Sequence, residues 1–246
     1  MREDYQFLQD ERIAEANYYG NLARLSVMWT AGSFCSYLLL YLNKYLSGGV
    51  FVNYYFDGVA GIAAYCIGKP LYSYCKIRNA FLVSYIVTLV GLLGIFLFES
   101  KMASPDFIAY LGAPPSPYPP GSPEDREHHL KSILPAFTLI AKIGTGITFS
   151  NAYQASFSDG KTFPLLKRST AIGVCNMVSR GITAVSPLCA ELDQPIPIII
   201  MICITVIAEA VACTFPSPAE ERRLQAELLK DASNLGAGES GKSKEI

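Results

Sequence analysis

AFLVSYIVTLVGLLGIFLF, residues 80 to 98, runs for nineteen residues without a charge. As a helix it is about 28 Å long, close to the roughly 30 Å hydrocarbon thickness of a bilayer. Within lipid it has to be helical, because only a helix satisfies its own backbone hydrogen bonds where water is missing. Working outward, five further apolar runs of comparable length can be read. They lie between Arg24 and Lys44, from Val50 to Ile67, from Ser132 to Phe157, from Ala171 to Ala190 and from Ile196 to Phe215. Ten-residue alternating segments of the kind a membrane β-barrel needs are absent. The expected fold is therefore all-α, a polytopic membrane protein built as a six-transmembrane-helix bundle.

The composition agrees. Of the 246 residues 51% are hydrophobic and the mean hydropathy is +0.27, with charges gathered between the apolar runs. A soluble core does not segregate that way. A net charge of −1 argues against a nucleic-acid partner, and the expected surroundings are membrane lipid and other membrane-protein subunits. Fourteen Lys and Arg fall in the N-terminal segment, the connections after the second and fourth runs, and the tail; only Lys44, Lys101, Arg126 and Lys131 fall in the other connections. Basic residues favour the inner side, so both termini are expected there.

The chain divides into an inner-side interfacial segment (1–24), spans one to three (25–98), a proline-rich outer loop (99–131), spans four to six (132–215) and a polar tail (216–246). The first segment suits either a helix lying in the membrane interface or a solvated lead-in. Seven prolines between Pro105 and Pro123 favour extended structure in the loop, either a floppy insert or a docking arm. Six of the seven cysteines lie within predicted spans, so no disulfide framework is expected.

Two motifs are decoys. GAGESGKS, residues 236 to 243, matches a phosphate-binding loop, but only three residues follow it, where the chemistry needs a helix. His128 and His129 stand beside Glu124, Asp125 and Glu127 with no second ligand cluster, so no metal is expected. No nucleophile and base stand at a catalytic spacing; neither an enzyme nor a cofactor is expected.

KRSTAIGVCNMVSRGITAVSPLCAEL, residues 167 to 192, then an apolar span and FPSP, resembles the major facilitator superfamily, in particular its organic cation and anion transporters. Phe163, Pro164, Arg168, Arg180 and Pro187 carry the likeness. GGVFVNYYFDGVAGIAAYCIGKP, residues 48 to 70, looks like that family's eighth helix, and Trp29 with SFCSY, residues 33 to 37, like its seventh. The likeness covers residues 22 to 217 and corresponds to the C-terminal half alone. It implies one wall of a central cavity, so that transport would need a dimer or a complementary half.

Asp57, Lys142, Arg180 and Glu209 sit inside predicted spans, where each charge costs about 2.5–3.5 kcal/mol on insertion scales. Either Lys142 and Arg180 face a cavity, the resemblance implying an anionic substrate at the Arg180 position, or acids and bases pair off. Tyr37 and Tyr54, with Tyr55, occupy positions like the family's cavity aromatics. Tyr37, Tyr54, Asp57, Lys142 and Arg180 are thus the substrate-cavity candidates. The gating acids of the resembling family are missing: Ser73, Lys76, Ile77 and Arg78 stand in the inner loop, Lys161 before the Phe-Pro pair, and Gly61 in the second span. The expectation is a retired half-transporter kept as a structural or accessory subunit of a larger membrane complex, in the mitochondrial inner membrane or the plasma membrane. The alternative is a working organic-ion transporter half.

Overall fold

A computed structural model describes residues 12, 14–44, 50–100, 117–118, 122–157 and 162–216, with the side chains of 50, 52–53, 123 and 125–132 set aside. Most of the proline-rich loop, the polar tail with its GAGESGKS decoy, Lys161, and the side chains of His128 and His129 lie outside the described residues. Every regular element described is helical. These are α1 (Tyr18–Leu42), α2 (Val50–Glu99), α3 (Pro123–Phe157), a 3-10 turn (Leu165–Lys167), α4 (Arg168–Thr183), α5 (Ser186–Ala190) and α6 (Ile196–Cys213).

Among the described residues, four helices are long and apolar enough to cross a membrane: Tyr18–Leu42, Tyr54–Glu99, Ile133–Phe157 and Ile196–Cys213. The second is 46 residues, about 69 Å if straight and more than twice the hydrocarbon slab. It is not straight. Lys76 leaves the helical region at φ 59°, ψ 175°, a conformation that glycine adopts far more readily, and the two limbs on either side run in opposite directions.

The contacts show this. Along the first limb Asp57, Ala64 and Gly68 meet Lys142, Gly146 and Ser150, both series rising. Along the second limb Ala80, Ser84, Thr88 and Gly91 meet Asn151, Thr148, Gly144 and Ala141, one rising as the other falls. By the same test α1 runs against α3, through Gly32 with Thr148 and Ser36 with Lys142. It runs with α4, through Ser26 with Cys175 and Ser33 with Ser179, and against α6, through Arg24 with Phe215 and Cys35 with Met201. Among the described residues, then, successive limbs of the chain alternate in direction.

Three expectations are corrected in detail. The connection expected between the second and third runs is helical on both sides of Lys76, and Pro70 is tolerated inside α2. The last part of the expected outer loop, from Pro123, is already helical and continues into α3. The fifth run divides between α4 and α5, with Pro187 in the first turn of α5, where proline fits because that turn has no use for its missing N–H.

α1 is the centre of the bundle, with 67% of its most apolar window buried against 33% for α6. It packs on α3, α4, α5 and α6. Two apolar clusters stack along it, one built on Leu25, Trp29, Phe81, Phe163 and Phe215, the other on Phe34, Leu38, Leu92, Leu134 and Met201.

At the end of the bundle where α1 begins, Lys167 Nζ lies 2.9 Å from Glu15 Oε1 and 5.6 Å over the Tyr18 ring. The hydrogen bond and charge of Lys167 hold the Glu15 carboxyl below its ordinary 4.5, and Glu15 holds the Lys167 ammonium above its ordinary 10.5. The Glu15 contribution is present above 4.5 and lost as pH falls through its folded value. The Lys167 contribution is present below 10.5 and lost as pH rises through its folded value. Hydrogen-exchange protection of the first turn of α1 should therefore be level between those limits and fall on the acid side. Lys167→Gln should remove the acid limb of that profile.

Candidate functional site

Between the two apolar clusters lies a polar layer. Hydroxyls spaced three or four residues apart on the same helix supply most of it: Ser33 and Ser36 on α1, Ser84 and Thr88 on the second limb of α2, Thr145 and Thr148 on α3. Ser179 on α4 donates to Ser33 Oγ at 2.6 Å, and Thr148 Oγ1 lies 3.0 Å from Ser84 Oγ. Cys35 Sγ is 3.6 Å from Thr205 Oγ1 on α6. Thr88, Thr145 and Thr205 turn back to carbonyls of their own helices, a local bond that gives each hydroxyl a partner within an apolar bundle.

The charges of this layer close on one another. Lys142 Nζ lies 2.6 Å from Asp57 Oδ1 and donates to the Ser36 carbonyl at 3.1 Å. One ammonium thus ties α3 to the first limb of α2 and to α1. The Lys142 side chain is 6% exposed and that of Asp57 26%, so the base is sealed while the acid keeps an edge in the open. The pair is charge-assisted and short, and it leaves no uncompensated ammonium in the interior of the bundle.

Of the five candidates, four are brought into one region. Tyr37 follows the Ser36 carbonyl that receives Lys142, and Tyr54 stands one turn before Asp57; both tyrosines are exposed. Arg180 stays apart. It is exposed on the last turn of α4, and its Nε donates to Asn176 Oδ1 at 3.1 Å on its own helix. The expected pairing of acids with bases thus holds for Asp57 with Lys142, whereas Arg180 takes an amide neighbour four residues back. Arg180 follows Ser179, so it stands level with Ser33, close in depth to Lys142.

Sequence reasoning missed the hydroxyl layer and the Ser36 carbonyl. The layer had a signal: paired Ser and Thr at helical spacing in the middle of apolar runs. The carbonyl had none, since every residue carries one and only the register of α1 on α3 selects it. The chain matches no protein-family model, no curated protein and no solved structure.

Proposed function

We propose that this chain is a non-transporting membrane subunit, a six-crossing bundle equivalent to the C-terminal half of a major facilitator, whose place is within a larger assembly of membrane proteins. The observation that carries the reading is the closed state of Lys142. A substrate-binding base in a cavity wall needs its charge available, whereas this one is spent on Asp57 and the Ser36 carbonyl and is sealed from the surface.

The alternating limbs support six crossings with both termini on one side, and the fold-back at Lys76 supports two crossings within α2. The family likeness rests on the sequence fragments around Arg168, Arg180 and Pro187. The mitochondrial inner membrane or the plasma membrane would suit such a subunit, with lipid and neighbouring subunits as its partners and no cofactor. Exposed Arg180, level with the polar layer, is the one observation that favours the second reading, an organic-anion half-transporter working as a dimer or with a complementary half.

Two experiments separate them. Native extraction in mild detergent should find the chain migrating in a large complex of unrelated subunits. The purified chain in proteoliposomes should give no saturable uptake of organic anions. Saturable uptake that Arg180→Ala abolishes would sink the structural reading and establish the second.

A further inference from the structure

α4 and α6 both pack on α1 and leave a gap between them, floored by α1. The gap is a groove of about 250 Å³, lined by Val27 and Phe34 of α1, Val178 and Ile182 of α4, and Ile204 and Ile207 of α6, with almost no polar surface. Val27, Ile182 and Ile207 stay exposed along it, Ile207 by 59%. An apolar trough on a membrane helix bundle suits a flexible hydrocarbon chain in shape and chemistry. At one end it also has a charge.

Along the seam between α1 and α6, Ile204 and Ile207 are followed by Val211 and then Phe215, and Arg24 sits over the Phe215 ring at 5.6 Å. Arg24 is one turn before Val27, at the mouth of the groove. Helical side chains slope toward the N-terminus, which carries its guanidinium away from the groove and toward the membrane surface, as snorkelling arginines do. One of its five donors reaches Asn21 Oδ1 at 3.4 Å. Arg168, which opens α4, adds positive charge at the same end of the bundle; Lys167 beside it is paired with Glu15. Glu209 lies about 200° around α6 from Ile207 and does not share that face.

We infer that the groove holds one acyl chain of an anionic phospholipid from the leaflet at the end where α1 begins, with Arg24 receiving its phosphate-bearing headgroup. Basic residue and apolar trough are arranged along one axis, as the two ends of such a lipid are. The inference is independent of whether the chain transports.

The test uses the full chain in lipid nanodiscs doped with phosphatidylglycerol, or with phosphatidylcholine, carrying a diazirine on one acyl chain. Photolabel should concentrate on Val27, Phe34, Val178, Ile182, Ile204 and Ile207. The phosphatidylglycerol probe should label them about fivefold more than the phosphatidylcholine probe, the factor one basic residue near the surface supplies, and Arg24→Gln should erase that excess. Val27→Trp should cut groove labelling with either probe, while Val59→Trp on the exposed first limb of α2 should leave it unchanged. Ile207→Trp serves in place of Val27→Trp if that variant does not fold. Label spread as densely over Val59 and Ile62 as over the groove would overturn the proposal, as would groove labelling indifferent to headgroup or to the groove tryptophan. So would photocrosslinking in native membranes that places another protein in the groove.

Discussion

Asp57→Ala should destabilise the bundle by about 3–5 kcal/mol, the cost of leaving a buried charge without its partner. The orphan is Lys142, 6% exposed, which keeps only the Ser36 carbonyl. Lys142→Met should cost less, because the acid it abandons keeps an edge outside the packed bundle, 26% exposed against 6% for the base. The double variant Asp57→Ala with Lys142→Met should recover most of the loss, since replacing both members of a buried pair by apolar groups is often close to neutral. Denaturation in detergent micelles, analysed as a double-mutant cycle, checks all three. An Asp57→Ala protein as stable as the parent would mean that Lys142 does not depend on the pair, and the argument against a substrate role for it would lose its basis.

Gly144→Ala should be among the most damaging methyl additions in the bundle. A Cβ there would meet the Thr88 side-chain oxygen and stand 2.5 Å from the Thr88 amide nitrogen and 2.9 Å from its Cα. Backbone cannot step aside as a flexible side chain can, so the expected cost lies at or beyond the upper end of about 1–3 kcal/mol for overpacking. Gly91→Ala should behave alike, its new Cβ meeting the Ala141 backbone. Gly61→Ala should be neutral or stabilise by up to about 1 kcal/mol, because nothing lies within 4 Å of a Cβ at that site and alanine is the better helix residue. Thermal unfolding of the three variants side by side gives the signs directly; a Gly61 variant as damaged as the Gly144 variant would show that the first limb of α2 packs on something outside this bundle.

Those glycines mark the border of what could be read from the chain alone. Gly58, Gly61, Gly91, Gly94, Gly144 and Gly146 are equally suited by composition to close helix contact. In the structure Gly91, Gly94, Gly144 and Gly146 are pressed into the α2–α3 seam, while Gly58 and Gly61 face open space. Hydropathy is blind to this difference, because a glycine contributes the same to a window whichever way it faces.

The sequence by itself determined the solvent: runs such as Ala80–Phe98 and Ile196–Phe215 sum enough apolar transfer energy to demand a bilayer, and that sum is local, needing no knowledge of neighbours. It also marked Asp57, Lys142 and Arg180 as residues in need of a reason. Only the tertiary structure decided the reasons, joining Lys142 to Asp57 and leaving Arg180 exposed beside Asn176. It likewise decided that α2 turns back at Lys76. The pairing depends on the register and azimuth of helices distant in sequence, quantities set by packing in the α1–α2–α3 contact and by no single stretch of chain.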